Sequence, residues 1–166
     1  DTTFSGDGMV ITSVESGYDS VNNMVLQGDG KIVVSGISMY NNTNYFAVVR
    51  YNTDGSLDST FDGDGMVTTL IGDSSFSTAI AIQSNGKIVA AGASNIGSNP
   101  SNFTLVRYNT DGSIDAGFGT DGKVITAVGA GYAQGVGVQS DGKIVAAGSA
   151  NLADGSGDFG VARYWP

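Results

Sequence analysis

Residues 139–148 read QSDGKIVAAG, and the same stretch recurs as QSNGKIVAAG at 83–92 and QGDGKIVVSG at 27–36. Each has Asp-Gly or Asn-Gly, then a lysine, then a short run of small and branched apolar residues. Gly after Asp or Asn favours the positive φ angles of tight hairpins, so a primed turn is expected here, leading into a strand. Upstream, the copies open with DTTFSGDGMV at Asp1, DSTFDGDGMV at Asp58 and DAGFGTDGKV at Asp115, 57 residues apart. Downstream, they read FAVVRYNTDGSL from Phe46, FTLVRYNTDGSI from Phe103 and FGVARYWP from Phe159. The whole chain is therefore three tandem copies of one unit, 1–57, 58–114 and 115–166, forming a single repeat domain.

Each copy reads as four short strands. Strand A is expected at Met9–Thr12, Met66–Thr69 and Lys123–Thr126. Strand B follows at about Val21–Gln27, Ala79–Gln83 and Val136–Gln139, where large and small residues alternate with a period of two in the second and third copies. Strand C is Lys31–Ser35, Lys87–Ala91 and Lys143–Ala147, and strand D is Phe46–Tyr51, Phe103–Tyr108 and Phe159–Tyr164. No stretch shows helical periodicity. Four antiparallel strands in a repeat of this length match one blade of a β-propeller. The expected fold is all-β, with three four-stranded antiparallel blades per chain.

The motifs at 139–148 and 107–115 also resemble the delta-60 repeat family, whose signature runs QSDGKIVAAG, then ARYN, TDGSLD and a Phe-Gly before Asp-Gly. The resemblance covers all three copies. It implies bacterial β-propeller-type repeats in large secreted or surface proteins, and no catalytic activity.

Three blades leave the ring open and two blade faces uncovered, whereas propellers usually hold about four to eight blades. Tyr164-Trp165-Pro166 replaces the Tyr-Asn-Thr of the other copies and reads as the end of the array. Either more blades lie outside this sequence or identical chains close the ring; a homo-oligomer is the favoured expectation, either a homodimer with six blades or a homotrimer with nine. The sequence opens inside a motif, with no secretory signal, and reads as a mature piece or a fragment cut from a longer chain.

Composition narrows the function classes. The chain has 166 residues, no Cys and no His, which removes disulfides, thiolate metal sites, Cys nucleophiles and the commonest general base. Its net charge of −9 argues against nucleic acid or an anionic membrane as partner, and no apolar run approaches a membrane span. Abundant Asn, Ser, Thr and Gly with little Lys and Glu suit a secreted or bacterial surface protein. No cofactor is expected.

Every cation except Lys123 occupies a recurring slot: Lys31, Lys87 and Lys143, then Arg50, Arg107 and Arg163. The arginines are expected to make bidentate pairs with an aspartate such as Asp54 or Asp58. The aspartates around the glycines (Asp1 and Asp7; Asp58, Asp62 and Asp64; Asp115 and Asp121) have oxygen ligands for Ca²⁺ but lack the spacing of a calcium loop. They read as Asx-turns, and no metal site is assigned. Paired carboxylates of a glycan-processing enzyme could be drawn from Glu15, Asp19, Asp73, Asp154 and Asp158, but each sits in a Gly/Ser-rich loop with no sign of burial. The chain is read as a non-enzyme.

The connections separate into two kinds. B–C and D–A are nearly the same in all copies, while A–B (SVESGYDS, LIGDSSFS, AVGAGYAQ) and C–D (SMYNNTN, SNIGSNPSN, SANLADGSGD) differ. In an up-and-down blade the two variable connections share one end, where recognition can be placed. They carry Tyr18, Tyr40, Asn41, Asn42, Asn44 and Tyr45 in the first copy, Asn99 and Asn102 in the second, and Asn151, Asp154 and Asp158 in the third. Aromatic faces with amides and carboxylates suit the C–H faces and hydroxyls of a sugar, or a protein epitope. Tyr18, Phe76 and Tyr132 recur and are expected to pack under the loops, so Tyr40 and Tyr45 are the better ligand candidates. The expectation is an extracellular adhesin or fibre-tip module that binds a glycan or protein of another cell. A structural repeat without a ligand is the alternative.

Overall fold

The computed structural model describes residues 1–97, 101–152 and 154–166. Among them, eleven strands form: β1 (Asp19–Leu26), β2 (Ile32–Tyr40), β3 (Thr43–Tyr51), β4 (Met66–Thr69), β5 (Ser74–Ile82), β6 (Ile88–Asn95), β7 (Asn102–Tyr108), β8 (Lys123–Thr126), β9 (Ala130–Val138), β10 (Ile144–Asn151) and β11 (Gly157–Tyr164). They make three antiparallel sheets, β1-β2-β3-β4, β5-β6-β7-β8 and β9-β10-β11. No helix among the described residues is long and apolar enough to cross a membrane.

The sheets are out of phase with the sequence copies. β4 begins the second copy but closes the first sheet, with Phe46 opposite Thr69 and Val49 opposite Met66. β8 likewise closes the second sheet, with Phe103 opposite Thr126. The expected blade divisions 1–57, 58–114 and 115–166 are corrected to sheets spanning 19–69, 74–126 and 130–164. The cause is the D–A connection, which folds each A strand back along the D strand just before it. The expected strand Met9–Thr12 pairs with no strand among the described residues. The third sheet correspondingly has three strands rather than four.

That D–A connection is organised around one aspartate. Arg50 Nε donates to Asp58 Oδ2 at 2.6 Å, and Lys31 Nζ reaches the same oxygen at 2.8 Å. The guanidinium also lies 4.6 Å from the Phe61 ring centroid, and its Nη1 donates to Thr110 O in the next sheet's connection. Arg107, Lys87, Asp115 and Phe118 repeat the cluster. The pair is thus with Asp58 rather than Asp54, and it uses one carboxylate oxygen rather than the bidentate geometry expected, because the other guanidinium nitrogens are taken by Thr60 and Thr110. Burial disfavours the Asp58 carboxylate, but hydrogen bonds from Lys31 and Thr60 and the Arg50 charge outweigh it, holding its pKa well below the ordinary range.

The B–C turn also differs from expectation. Gln27 N donates to Lys31 O and Gly30 N to Gln27 O, and only Gly30, at φ 86°, is left-handed between residues 27 and 31. This is a three-residue loop, a turn followed by a left-handed glycine, because residue 28 adds one position to the two that a primed turn needs. The primed turn occurs instead in the first C–D connection, where Asn41 (φ 48°) and Asn42 (φ 61°) join Tyr40 to Thr43.

The core lies between sheets. Phe46, Val48 and Val33 of the first pack with Ile80, Ile88, Ala90, Val106 and Tyr108 of the second, under Phe61, Val67 and Ile71 from the connecting strand and its loops. Phe103, Leu105, Val89 and Ala91 do the same against Ala133, Ile144 and Ala146. β1, β5 and β9 touch in succession, so the B strands form the inner edge. Each carries a bulge, at Asn22, Thr78 and Gln134. Asn22 Nδ2 donates to Ser77 O at 2.7 Å and Thr78 Oγ1 donates to Ala133 O, so the bulge residue ties one inner strand to the next.

Candidate ligand-binding face

Strand direction brings the variable connections together. Met39 N donates to Tyr18 O (2.9 Å), Asp73 N to Asn95 O (2.8 Å) and Gly97 N to Asp73 Oδ2 (2.6 Å), each bond latching an A–B connection to its own C–D hairpin. Asp19 does similar work, accepting from Ser38 Oγ and Val14 N. The B–C turns and D–A clusters lie at the opposite end of the strands, as the register of β1 with β2 requires.

In the first sheet the face is an aromatic and amide cluster. Tyr40 ends β2 and is 43% exposed, and Tyr18, latched to the neighbouring Met39, is 62% exposed. Asn41 and Asn42 form the exposed tip, while Asn44 and Tyr45 are half-buried in β3 opposite Met39 and Ser38. Strand alternation puts Tyr40 and Tyr45 on one side of the sheet, and Asn44 on the side that carries Phe46.

The recurrence expected of Tyr18 is corrected by register. Phe76 lies opposite Ala93 and Tyr132 opposite Ser149, and the matching position of β1, opposite Ile37, is Ser20. Phe76 and Tyr132 pack on one another with centroids 6.2 Å apart, but Phe76 is only half-buried and Tyr132 is exposed, so they are not the core residues expected. Tyr18 lies two residues earlier and belongs with the aromatics peculiar to the first copy. The A–B loop of the first copy holds its close glycine at Gly17, against Met39 O, whereas Gly72 and Gly129 occur two positions earlier in theirs, and this shift hid the difference.

The remaining candidates are spread over the other two sheets at the same end. Asn102 begins β7 opposite Ser94 and is half-buried. Asn99 lies outside the described residues. Asn151 ends β10 and is exposed, and Asp158 is exposed in β11 opposite Ala150. Asp154 accepts from the N–H and the hydroxyl of Ser156, and these bonds lower its pKa. One signal was missed. The residue after Met39, Asn95 and Asn151 is an exposed apolar one in every copy, Tyr40, Ile96 or Leu152. Aligning the copies on GKI would have revealed it.

The acidic residues proposed for turns do make turns. Asp1, Asp7, Asp58, Asp64 and Asp115 each accept the N–H two residues on, whereas Asp62 and Asp121 take left-handed backbone at φ 52° and 50°.

The family described as "Domain of unknown function (DUF5122) beta-propeller" matches residues 27–61, 83–118 and 139–166, more than half of the chain. The chain belongs to this family. Each matched segment of the DUF5122 repeat starts at the Gln of a B–C turn, and the first two run through strand D to the Phe that carries the arginine. The match thus falls on the scaffold and leaves out the A–B connections. A fucose lectin from Kordia zhangzhouensis, solved with methyl-fucoside, is similar to the chain at 15% identity and a TM-score of 0.46, covering 85% of this chain and 94% of that one. No curated protein matches the chain.

Proposed function

We propose that the chain is a non-catalytic recognition module of a secreted or surface-exposed bacterial protein, binding a glycan through the A–B and C–D face. The observation that carries this reading is the exposure of Tyr18 and Tyr40 beside the Asn41-Asn42 tip. Two phenol rings offer stacking faces for sugar C–H groups, and the amides offer paired donors and acceptors for hydroxyls. These connections contain carboxylates but no Lys or Arg, which favours a neutral sugar over an anionic one. Glu15, Asp19, Asp73, Asp154 and Asp158 are read as loop-building or solvated carboxylates rather than an acid–base pair. The delta-60 likeness, with the secreted or surface location it implies, is part of the same reading, and so is the adhesin role.

A glycan array with the purified protein, followed by titration of the best ligand, tests it. Tyr18→Ala and Tyr40→Ala should each weaken binding about tenfold, equivalent to ~1.4 kcal/mol, with an unchanged circular dichroism spectrum. A wild-type protein that retains no glycan, but captures a protein surface or nothing at all, would replace this reading with an epitope-binding or purely structural repeat.

A further inference from the structure

The three B–C turns share one geometry but not one chemistry. Residues 29 and 141 are aspartates, and residue 85 is an asparagine. In each turn the glycine that follows is left-handed, at φ 86°, 83° and 85° for Gly30, Gly86 and Gly142. Its N–H donates to the carbonyl of Gln27, Gln83 or Gln139, at 2.9, 2.8 and 2.9 Å. The N–H of Lys31, Lys87 or Lys143 donates to Oδ1 of Asp29, Asn85 or Asp141, at 3.2, 3.1 and 3.1 Å. Asparagine and aspartate are interchangeable in this turn, since the turn uses only Oδ1.

Only at Asn85 does the geometry set a carboxamide beside an unshielded amide nitrogen. Asn85 is exposed, and it is the one asparagine in the sequence followed by glycine. The fold demands that glycine, because φ is positive and a Cβ on Gly86 would lie 2.9 Å from Thr110 Cγ2. The same lack of a side chain leaves the Gly86 nitrogen open to its neighbour. The bond from Lys87 N holds the Asn85 side chain folded forward along the chain, on the side of that nitrogen, and polarises its carbonyl. Asp29 and Asp141 have no amide group to lose.

We propose that Asn85 is a site of spontaneous deamidation in the folded protein. The Gly86 nitrogen gives its proton to water and attacks Asn85 Cγ. A nitrogen–carbon bond forms, the bond from Cγ to Nδ2 breaks, and Nδ2 takes a proton from water and leaves as ammonia. Water then opens the succinimide ring at either carbonyl. Opening at Cγ leaves aspartate, and opening at the main-chain carbonyl leaves isoaspartate, with the chain routed through Cγ. The attack requires the Gly86 N–H to leave Gln83 O, so brief openings of an exposed turn set the rate.

The two products act differently on the fold. Asp29 sits in its turn while Lys31 stays on Asp58 at 2.8 Å, so an aspartate at position 85 leaves Lys87 on Asp115. Isoaspartate adds a methylene to the main chain, and the pairing of Gln83 with Lys87 is lost. Gln83 is buried, accepts from Arg107 Nη1 and donates to Gly142 O, so the disturbance reaches the contact between the second and third sheets. This chemistry lies at the end opposite the variable connections and is independent of the glycan reading.

Folded protein held at mildly alkaline pH and resolved by ion exchange should accumulate a more acidic form. Peptide mapping should find aspartate and isoaspartate at residue 85, formed at least about tenfold faster than at any other asparagine. Asn85→Ser should abolish the acidic drift. Asn85→Asp should melt within a few degrees of the wild type, and the isolated isoaspartate form well below it. No new acid at residue 85, equally fast conversion at other asparagines, or an Asn85→Asp variant as unstable as the isoaspartate form would each overturn the proposal.

Discussion

The Tyr51 hydroxyl donates to Thr12 Oγ1 at 2.8 Å, and the same tyrosine–threonine contact recurs between Tyr108 and Thr69 at 2.8 Å and between Tyr164 and Thr126 at 3.0 Å. The bonds to Thr69 and Thr126 join a D strand to the residue of β4 or β8 that closes the sheet before it, and Thr12 holds the equivalent sequence position outside any strand. Burial pushes the Tyr108 phenol well above its ordinary pKa, so it stays protonated as the D strand packs. Tyr108→Phe leaves the Thr69 hydroxyl buried without its partner and should cost about 1–2 kcal/mol in urea unfolding. Tyr51→Phe should cost less, since Thr12 is only half-buried.

Asp58 gathers Arg50, Lys31 and Thr60 onto one carboxylate beneath the D–A loop. Asp58→Asn removes the charge that balances a buried guanidinium, and a loss of about 3 kcal/mol is expected from denaturant titration. Asp54→Asn, altering an exposed turn carboxylate on Ser56, should be nearly neutral by comparison.

The same aspartates set the acid limit of the fold. Asp58 is held low as described, and Asp115 is held low chiefly by the Lys87 hydrogen bond, against burial, with Arg107 adding to it. A carboxylate with a depressed folded-state pKa stabilises fully above its unfolded value of about 3.9, and this contribution disappears as pH falls through the folded value. The urea midpoint should therefore fall steadily below about pH 4. In Asp58→Asn the fall should be shallower; an unchanged slope would mean that other carboxylates dominate.

Gly92 has no room for a side chain: a Cβ there would lie 1.9 Å from Phe76 O, and Gly36 meets Ser20 O at the same distance. Both glycines sit where the bulged inner strand approaches strand C. Gly92→Ala should destabilise by at least about 2 kcal/mol, whereas Gly28→Ala, with open space around it and no left-handed backbone, should be neutral. Thermal unfolding of the two variants side by side checks this.

Asn42 has two possible jobs that one substitution separates. Its φ of 61° is what a primed turn demands, and glycine satisfies that demand as well as asparagine. Asn42→Gly should keep the melting temperature within a few degrees. Under the glycan reading it should weaken binding by about tenfold, the ~1.4 kcal/mol of a lost amide hydrogen bond to a sugar hydroxyl. Retained affinity would assign Asn42 to the turn alone.

The period, the B, C and D strands and the recurring Lys and Arg slots were legible because they depend on neighbours close in sequence and on a motif repeated three times. The variable loops were correctly assigned to one end, since alternation of antiparallel strands leaves no other arrangement. Tyr18 was misaligned with Phe76 because the matching letters lie in loops of different internal spacing, and only the cross-strand partners Ile37 and Ala93 fix the true correspondence.

What the sequence by itself determined is the repeating unit: four strand-forming stretches, the turns between them, and a cation and an aspartate in fixed slots. Tertiary structure alone decided which strands share a sheet. The segment at Met66 belongs with β3 rather than with β5, the equivalent Met9 segment pairs with no strand among the described residues, and Phe159 stands in solvent where Phe46 and Phe103 are buried. Local pattern specifies a strand's conformation and its two faces, but pairing and burial depend on what lies alongside, and that is a property of neighbours distant in the chain.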